Sequence, residues 1–442
     1  MFRNISAELS AWKKRSRRKP LILNGIRQVG KTWILKEFGR TEYKNTVYIN
    51  FENNSEFKEF FETTKNPERI LENLSLVIGK PIHKGDTLII FDEIQECPKA
   101  LTALKYFCEE APEYHVAAAG SLLGITLSKP ESFPVGKVEF FEVYPLTFSE
   151  FLRADNSENL IQYLKSVQKL EPLPDAFFNP LTEKLRIYLL TGGMPEAVNA
   201  WCETHNIEEV DRELDNILTA YERDFAKHMT PSDYPKASLI WESVPSQLAK
   251  ENKKFMYKTV KEGARAREYE NALEWLKSAG LIYKIFKSTR PGLPVSAYDE
   301  ISSFKIYMAD TGLLRKKAHL YPQTMLVGNK LFSEFKGALT ENYILQSLIQ
   351  QCESVPRYWA VDNPPYEVDF LVQFENSIIP VEVKSDTNLQ SKSLRKYKEK
   401  YAADTPLRVR FSLANLKLDD DVLNIPLFMA DYFIQLVQIA KT

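Results

Sequence analysis

Residues 21–32 read LILNGIRQVGKT: an apolar run, Leu21-Ile22-Leu23, enters a glycine-bounded loop that closes on Lys31-Thr32. An apolar run of this length bounded by glycine reads as a buried strand. Gly25-Ile26-Arg27-Gln28-Val29-Gly30-Lys31-Thr32 is a full GxxxxGK[ST] match, a P-loop. The chemistry explains the spacing. Gly25 and Gly30 let the backbone curl so that its N–H groups face a phosphate at the N-terminus of the helix beginning near Lys31. Lys31 is placed to reach the β and γ phosphates and Thr32 to ligate Mg²⁺. Arg27, Gln28, Val29 and the adjoining Trp33 complete the expected ATP cradle. A chance glycine turn would lack both the strand before it and the amphipathic WILKEF after it.

Such a loop needs a carboxylate at the end of a second buried strand, and Thr87-Leu88-Ile89-Ile90-Phe91-Asp92-Glu93 has that form. Asp92 is expected in the magnesium shell. Glu93, beside it, is the natural general base for the attacking water. Two more strand-length runs, Val47 to Phe51 and His115 to Ser121, alternate with helical segments, as in a parallel sheet covered on both faces. Ser121 ends its run and is placed to contact the γ phosphate or the water. Val138 to Pro145 supplies a fifth strand.

At 442 residues the chain is too long for one ordinary core. Its 44% hydrophobic and 26% charged residues, with 16 Gly and 24 Pro, exclude a wholly disordered or collagen-like chain. The formal charge of -1 argues against nucleic acid only if it is evenly spread, and it is not. Residues 1–40 hold eleven basic residues against Glu8 and Glu37, a local balance of +9. Cys97, Cys108, Cys202 and Cys352 form no CxxC pair, so neither a disulfide framework nor a zinc site is indicated. With no apolar segment after the basic N-terminal residues and no run of 18 apolar residues, the expectation is a cytoplasmic chain without a membrane span.

GIRQVGKT, LIIFDEIQ, AAGSLLG, VEFFEVYPLTFSEF and LTGGMPEAV, in this order, resemble the bacterial and archaeal ATPases of the AAA+ superfamily that carry a C-terminal nuclease-like domain. The resemblance covers essentially the whole chain. It implies an α/β fold with a parallel sheet of the additional-strand type, Ser121 in the sensor-1 position, and Gly192, Gly193, Pro195 and Glu196 in a helical lid. That family typically has Gly-Arg before the VEFFEVYP-like strand, where this chain has Gly136-Lys137. A lysine is a point charge without the bidentate fork, so a weaker trans-acting finger is expected from Lys137. Arg223 is the alternative transition-state arginine, against the plainer reading of a solvated helix arginine. AAA+ relatives often assemble, so an oligomer is compatible.

Residues 156–230 read as a helical lid or connector after an ATPase core over 1–155. Over 231–325 the order is helix, basic turn, helix, hairpin: Ala237 to Leu248, Phe255 to Val260, Arg265 to Ala279, then Leu281 to Phe286 and Phe304 to Met308. This resembles a winged helix, whose third helix reads a major groove. Lys254, Lys258, Lys261, Arg265, Arg267 and Lys277 would contact DNA phosphates. Winged helices also serve as protein-contact modules.

Residues 366–385, YEVDFLVQFENSIIPVEVKS, read as two strands joined by a polar turn. Glu382 and Lys384 are two apart and share a face, and hairpin pairing brings Asp369 close to them. These residues resemble the PD-(D/E)XK nuclease core, with Asp369, Glu382 and Lys384 as its acidic and lysine members. Glu341, on GALTENYILQSL, matches the extra acid some members add. The set implies a second Mg²⁺ or Mn²⁺ within a restriction-endonuclease-like α/β domain over 326–442. The expectation is an ATPase coupling ATP·Mg²⁺ to a nucleic-acid-handling, nuclease-like module. The alternative is a nucleotide-switched protein-interaction ATPase whose C-terminal domain docks a partner and cuts nothing.

Overall fold

The computed structural model describes residues 1–120, 133–250, 253–322, 333–362, 364–387 and 390–441. The chain divides into two compact units, Met1–Tyr144 with Ser278–Gly280, and Pro145–Lys277 with Leu281–Thr442.

In the first unit β1 (Leu21–Gly25), β2 (Asn45–Asn50), β3 (Thr87–Asp92), β4 (His115–Ala119) and β5 (Glu139–Val143) form one sheet in the order β2-β3-β4-β1-β5. Every neighbouring pair is parallel. β4 lies between the P-loop strand β1 and the carboxylate strand β3, the arrangement that the additional-strand resemblance implies. β1, β3 and β4 are buried along their whole length, as helix-covered parallel strands must be. Helices α1 (Ile5–Lys14), α2 (Lys31–Glu42), α3 (Lys58–Thr63), α4 (Pro67–Ile78) and α5 (Pro98–Glu110) accompany the sheet. Phe91 of β3 packs edge-on to Phe61 of α3 at 5.4 Å and to Phe107 of α5 at 6.1 Å. Truncating such a buried ring costs about 3–5 kcal/mol, a large part of a domain's net ~5–15 kcal/mol.

Much of the N-terminal positive charge is used inside this unit. Arg3 is buried and donates to Val29 O at 3.0 Å and Tyr144 O at 2.5 Å. Arg15 pairs with Glu139, and Lys13 pairs with Glu42 while lying over the Tyr43 ring. Arg18 donates to the carbonyls of Lys13 and Pro112. The +9 balance therefore overstates what is left to meet a partner.

The second unit begins with helices α6 (Phe148–Ala154), α7 (Glu158–Ser166), α8 (Asp175–Thr191), α9 (Pro195–Thr204), α10 (Ile207–His228), α11 (Tyr234–Leu248), α12 (Tyr257–Val260) and α13 (Ala266–Ser278). Of the apolar spacing Leu214, Ile217, Leu218 and Tyr221 on α10, all but the half-buried Leu218 are inside, together with Val210 and Phe225. Next come strands β6 (Ile282–Ser288) and β7 (Asp299–Met308), helices α14 (Thr311–Lys317) and α15 (Ser333–Gln351), and strands β8 (Arg357–Asp362), β9 (Pro365–Phe374) and β10 (Ser377–Val383). After α16 (Lys392–Lys400), strands β11 (Arg408–Ser412), β12 (Lys417–Asp419) and β13 (Val422–Pro426) precede α17 (Phe433–Lys441).

The hairpin expected as the wing of 231–325 and the strands expected in 326–442 lie in one eight-stranded sheet, β12-β13-β11-β10-β9-β8-β6-β7. Lys287 of β6 stands opposite Tyr358 of β8. Arg357 of β8 makes a bidentate pair with Asp299 of β7, at 2.7 and 2.9 Å. Asn342 of α15 bonds both the N–H and the carbonyl of Met308. Helix order alone suggests a boundary at 325; hydrogen bonding carries the hairpin across it.

Gly192 and Gly193, expected in a lid, are packed inside the second unit. Gly193 N–H donates to Asp310 Oδ2 at 2.6 Å, and its carbonyl accepts from Leu146 N–H at 2.7 Å. A Cβ at Gly192, whose φ is +73°, would stand 2.3 Å from Asp310 Oδ1. Among the described residues no helix is long and apolar enough to cross a membrane.

Candidate functional site

β1 ends at Gly25, whose φ of +149° and 2.3 Å approach of a would-be Cβ to Val143 O leave room for glycine alone. Gly30, at φ +94°, turns the chain into α2. Between them Arg27 and Gln28 are exposed and Val29 is buried, held by Arg3; Trp33 is largely exposed. Lys31 Nζ donates to Gly25 O and Ile26 O, both at 2.8 Å, and so lies curled over the loop. Burial brings its pKa down to about 8 against the opposing pull of Glu93 and Asp92. A phosphate offers this buried ammonium the anionic partner it lacks.

Asp92, 3% exposed, ends β3. Thr32 Oγ1 donates to it at 3.0 Å and Tyr48 OH at 2.7 Å, with Asn50 Nδ2 at 3.5 Å. Asn50 stands directly opposite Asp92 in the parallel register, which is why two polar residues of β2 reach the β3 carboxylate. Sequence reading missed Tyr48 and Asn50; their alternation in VYIN was the available signal. Glu93 follows in a left-handed conformation, φ +49°. Burial, the largest influence, raises its pKa, and the adjacent Asp92 adds to this. A carboxyl with raised affinity for a proton suits a general base. Thr32 and Asp92 are an oxygen-donor pair suited to Mg²⁺, which when bound would neutralise phosphate charge.

Ser121 lies outside the described residues. Lys137 is in the first unit and pairs with Glu109 of α5 at 2.9 Å, both side chains well exposed. Arg223 is exposed on α10 of the second unit.

In the C-terminal sheet β9 and β10 form the expected hairpin, with Glu375 at φ +51° in its turn. Asp369 Oδ2 accepts the Val383 N–H at 2.7 Å. Glu382 Oε1 pairs with Lys384 Nζ at 2.6 Å, and Glu382 Oε2 is buried with no hydrogen-bond partner among the described residues. The acidic group that comes together is a different trio: carboxylate oxygens of Glu341, Glu367 and Asp369 lie within 4.8 Å of one another. Glu367 replaces the expected Glu382 in that set.

Two lysines accompany these acids. Lys305, fully buried on β7, reaches Glu341 Oε1 at 3.4 Å and also pairs with Glu367. Lys253 pairs with Glu341 from the segment before α12, and Tyr307 OH donates to Glu341 at 2.6 Å. Burial alone would raise Glu341, but the two ammonium groups outweigh it and hold it low. Asp369, around which protein packs closely despite some exposure, is pushed up by that packing and by Glu341. The trio already has two internal counter-charges, so a divalent cation would meet both ammonium groups. As arranged, these residues do not fit a metal.

Residues 17–152 match a family model described as an AAA domain, so the chain carries a P-loop domain of the AAA type there. Residues 182–324 and 336–428 match two models each described as a domain of unknown function. No curated protein matches the chain. Among solved structures, the Walker-type ATPase of Pyrococcus abyssi is similar at 15% identity and TM-score 0.43, over 71% of this chain and 94% of that one. AMPPCP-bound DnaA from Aquifex aeolicus is similar at 12% identity and TM-score 0.28, over 62% and 86%. RuvB of Thermotoga maritima is similar at 11% and 0.29, over 63% and 88%.

Proposed function

We propose that the chain is a Mg²⁺-dependent ATPase in which Lys31 binds the β and γ phosphates, Thr32 and Asp92 hold the metal shell, and Glu93 takes the proton of the attacking water. The observation that carries this is the meeting of Lys31, Thr32, Asp92 and Glu93 at the carboxyl ends of β1 and β3. Ser121, as the sensor, and Lys137 or Arg223, as a trans-acting cation in an oligomer, complete the reading. Lys137 must leave Glu109 to serve, whereas Arg223 is exposed.

Turnover is further proposed to serve a DNA-contacting module. Lys258 on α12, Lys261 just after it, and Arg265 and Arg267 at the start of α13 are exposed and make no ion pair among the described residues, although Glu262, Glu268 and Glu270 are interleaved with them. Lys277 pairs with Glu274, and Lys254 bonds Ser303. The C-terminal unit keeps the nuclease-like hairpin but is read as non-cutting, because Lys253 and Lys305 stand where a metal would. ATPase assays with and without single- and double-stranded DNA test the coupling. Stimulation, with salt-sensitive DNA binding, is expected; its absence at low ionic strength favours the protein-interaction reading. Cleavage of DNA with Mn²⁺, lost in Asp369→Ala or Lys384→Ala, would reverse the non-cutting assignment.

A further inference from the structure

Gln95 lies two residues beyond Glu93, and the P-loop chemistry described above gives it no part. After the left-handed turn at Glu93 the chain makes one tight helical turn, Ile94–Glu96. Glu96 N–H donates to Glu93 O at 2.9 Å and Cys97 N–H to Ile94 O at 3.0 Å, while Ile94 is fully buried as the anchor. The turn folds Gln95 back onto Glu93, and Gln95 Nε2 donates to Glu93 Oε2 at 2.5 Å. The other end of the amide, Oε1, is buried and has no hydrogen-bond partner among the described residues. The orientation of the amide follows from its neighbour: a carboxylate only accepts, so the nitrogen must face it and the carbonyl is left over. A buried carbonyl without a donor is a cost that native structures rarely leave in place without a use. Here the empty acceptor stands beside the residue read as the base.

We propose that Gln95 is a catalytic residue of ATP hydrolysis. Its Nε2–H holds one oxygen of Glu93, and its Oε1 accepts one hydrogen of the attacking water, so that the water's other hydrogen faces the second oxygen of Glu93. The proposal rests on the ATPase reading above. In the step itself the water oxygen bonds the γ-phosphorus as the bond from that phosphorus to the bridging oxygen of ADP breaks. One water proton passes to Glu93 and then to solvent, and the other stays on the phosphate formed. Orienting the water removes rotational freedom before the barrier, the same service a glutamine gives in GTPases.

The test uses the full chain and the variants Gln95→Ala, Gln95→Met, Glu93→Gln and the Gln95→Ala/Glu93→Gln pair. Gln95→Met keeps the side-chain volume should the alanine variant misfold. Three quantities are read: Kd for Mg·ADP, the tightening of ADP binding by aluminium fluoride, and kcat. The expected result is a Kd for ADP within ~2-fold of wild type, a kcat ~10²-fold lower, and loss of most of the aluminium fluoride tightening. The double variant is expected to be no slower than Glu93→Gln alone, since the two side chains act as one unit. Wild-type kcat in Gln95→Ala and Gln95→Met overturns the proposal, as does an ADP affinity that falls in step with kcat. A wild-type chain that binds ATP without hydrolysing it removes the ATPase reading and this proposal together. A competent wild-type ATPase with unimpaired Gln95 variants removes the proposal alone.

Discussion

Two groups of carboxylates, one at the end of β3 and one shared by α15 and β9, differ in what surrounds them. Asp92 and Glu93 are met by hydroxyls, amides and a lysine that lies over the P-loop. Glu341, Glu367 and Asp369 are met by two ammonium groups delivered by Lys253 and Lys305. In the first, Lys31 makes no ion pair among the described residues and Gln95 Oε1 is a buried acceptor without a donor, whereas the second already holds two internal counter-charges. Acid count therefore says little about readiness for a cation; what matters is whether the protein has already supplied one.

The largest expected effect tests the first group. Glu93→Gln should keep ATP binding and lower turnover by ~10²–10⁴-fold; unchanged hydrolysis would reject Glu93 as the base. Next is the second group, where Lys305→Met should destabilise the chain by ~3–5 kcal/mol in urea titrations, because it strands buried carboxylates. Lys253→Met should cost less, since its side chain retains 18% exposure against 0% for Lys305. If millimolar Mn²⁺ restores Lys305→Met and leaves wild type unchanged, ammonium and dication compete for one place. If wild type is stabilised equally, the contrast between the two groups breaks.

Lys31→Ala should weaken ATP binding by ~10–150-fold, the equivalent of ~1.5–3 kcal/mol for hydrogen bonds to a charged group, as read by titration with a fluorescent nucleotide. The smallest effect concerns the first unit alone. His115 Nδ1 and Tyr43 OH share a hydrogen bond of 2.7 Å, and burial, then Arg18 and Lys13, hold the pKa of His115 down at about 4. The folded state thus refuses a proton that the unfolded chain takes below its ordinary pKa of about 6.5. The stability from neutral His115 is whole above that value and is lost as pH falls towards 4. Thermal midpoints should drop across this window and drop less in His115→Gln.

The first unit was largely legible because its signals are local. GIRQVGKT names its own backbone requirements, and strand-length runs at the right spacing give β2, β3, β4 and β5, of which β3 and β4 are wholly buried. What escaped was what register and turns bring together: Tyr48 and Asn50 reach Asp92 only once β2 lies parallel to β3, and Gln95 meets Glu93 only through the turn at φ +49°. In the second unit the β9–β10 hairpin and Lys384 beside Glu382 were readable from alternation. Lys253 and Lys305 were not, because they come from segments far from Glu341 in sequence and nothing local marks a lysine as buried. The same limit made Arg3 look like surface charge, when it braces the P-loop.

The bridge between β6 and β8 bears on how this protein can be cut for study. A fragment beginning at residue 326 would lose Lys253, Lys305, Tyr307 and Asp299 in one stroke, leaving Arg357 without its bidentate partner and Glu341 without three of its donors. It would also bare the flank of β8, a row of unpaired backbone groups of the kind that recruits other chains. Insolubility of such a fragment would say nothing about the C-terminal chemistry. Fragments that keep the β6–β7 hairpin with the strands it joins are the ones whose silence or activity can be interpreted.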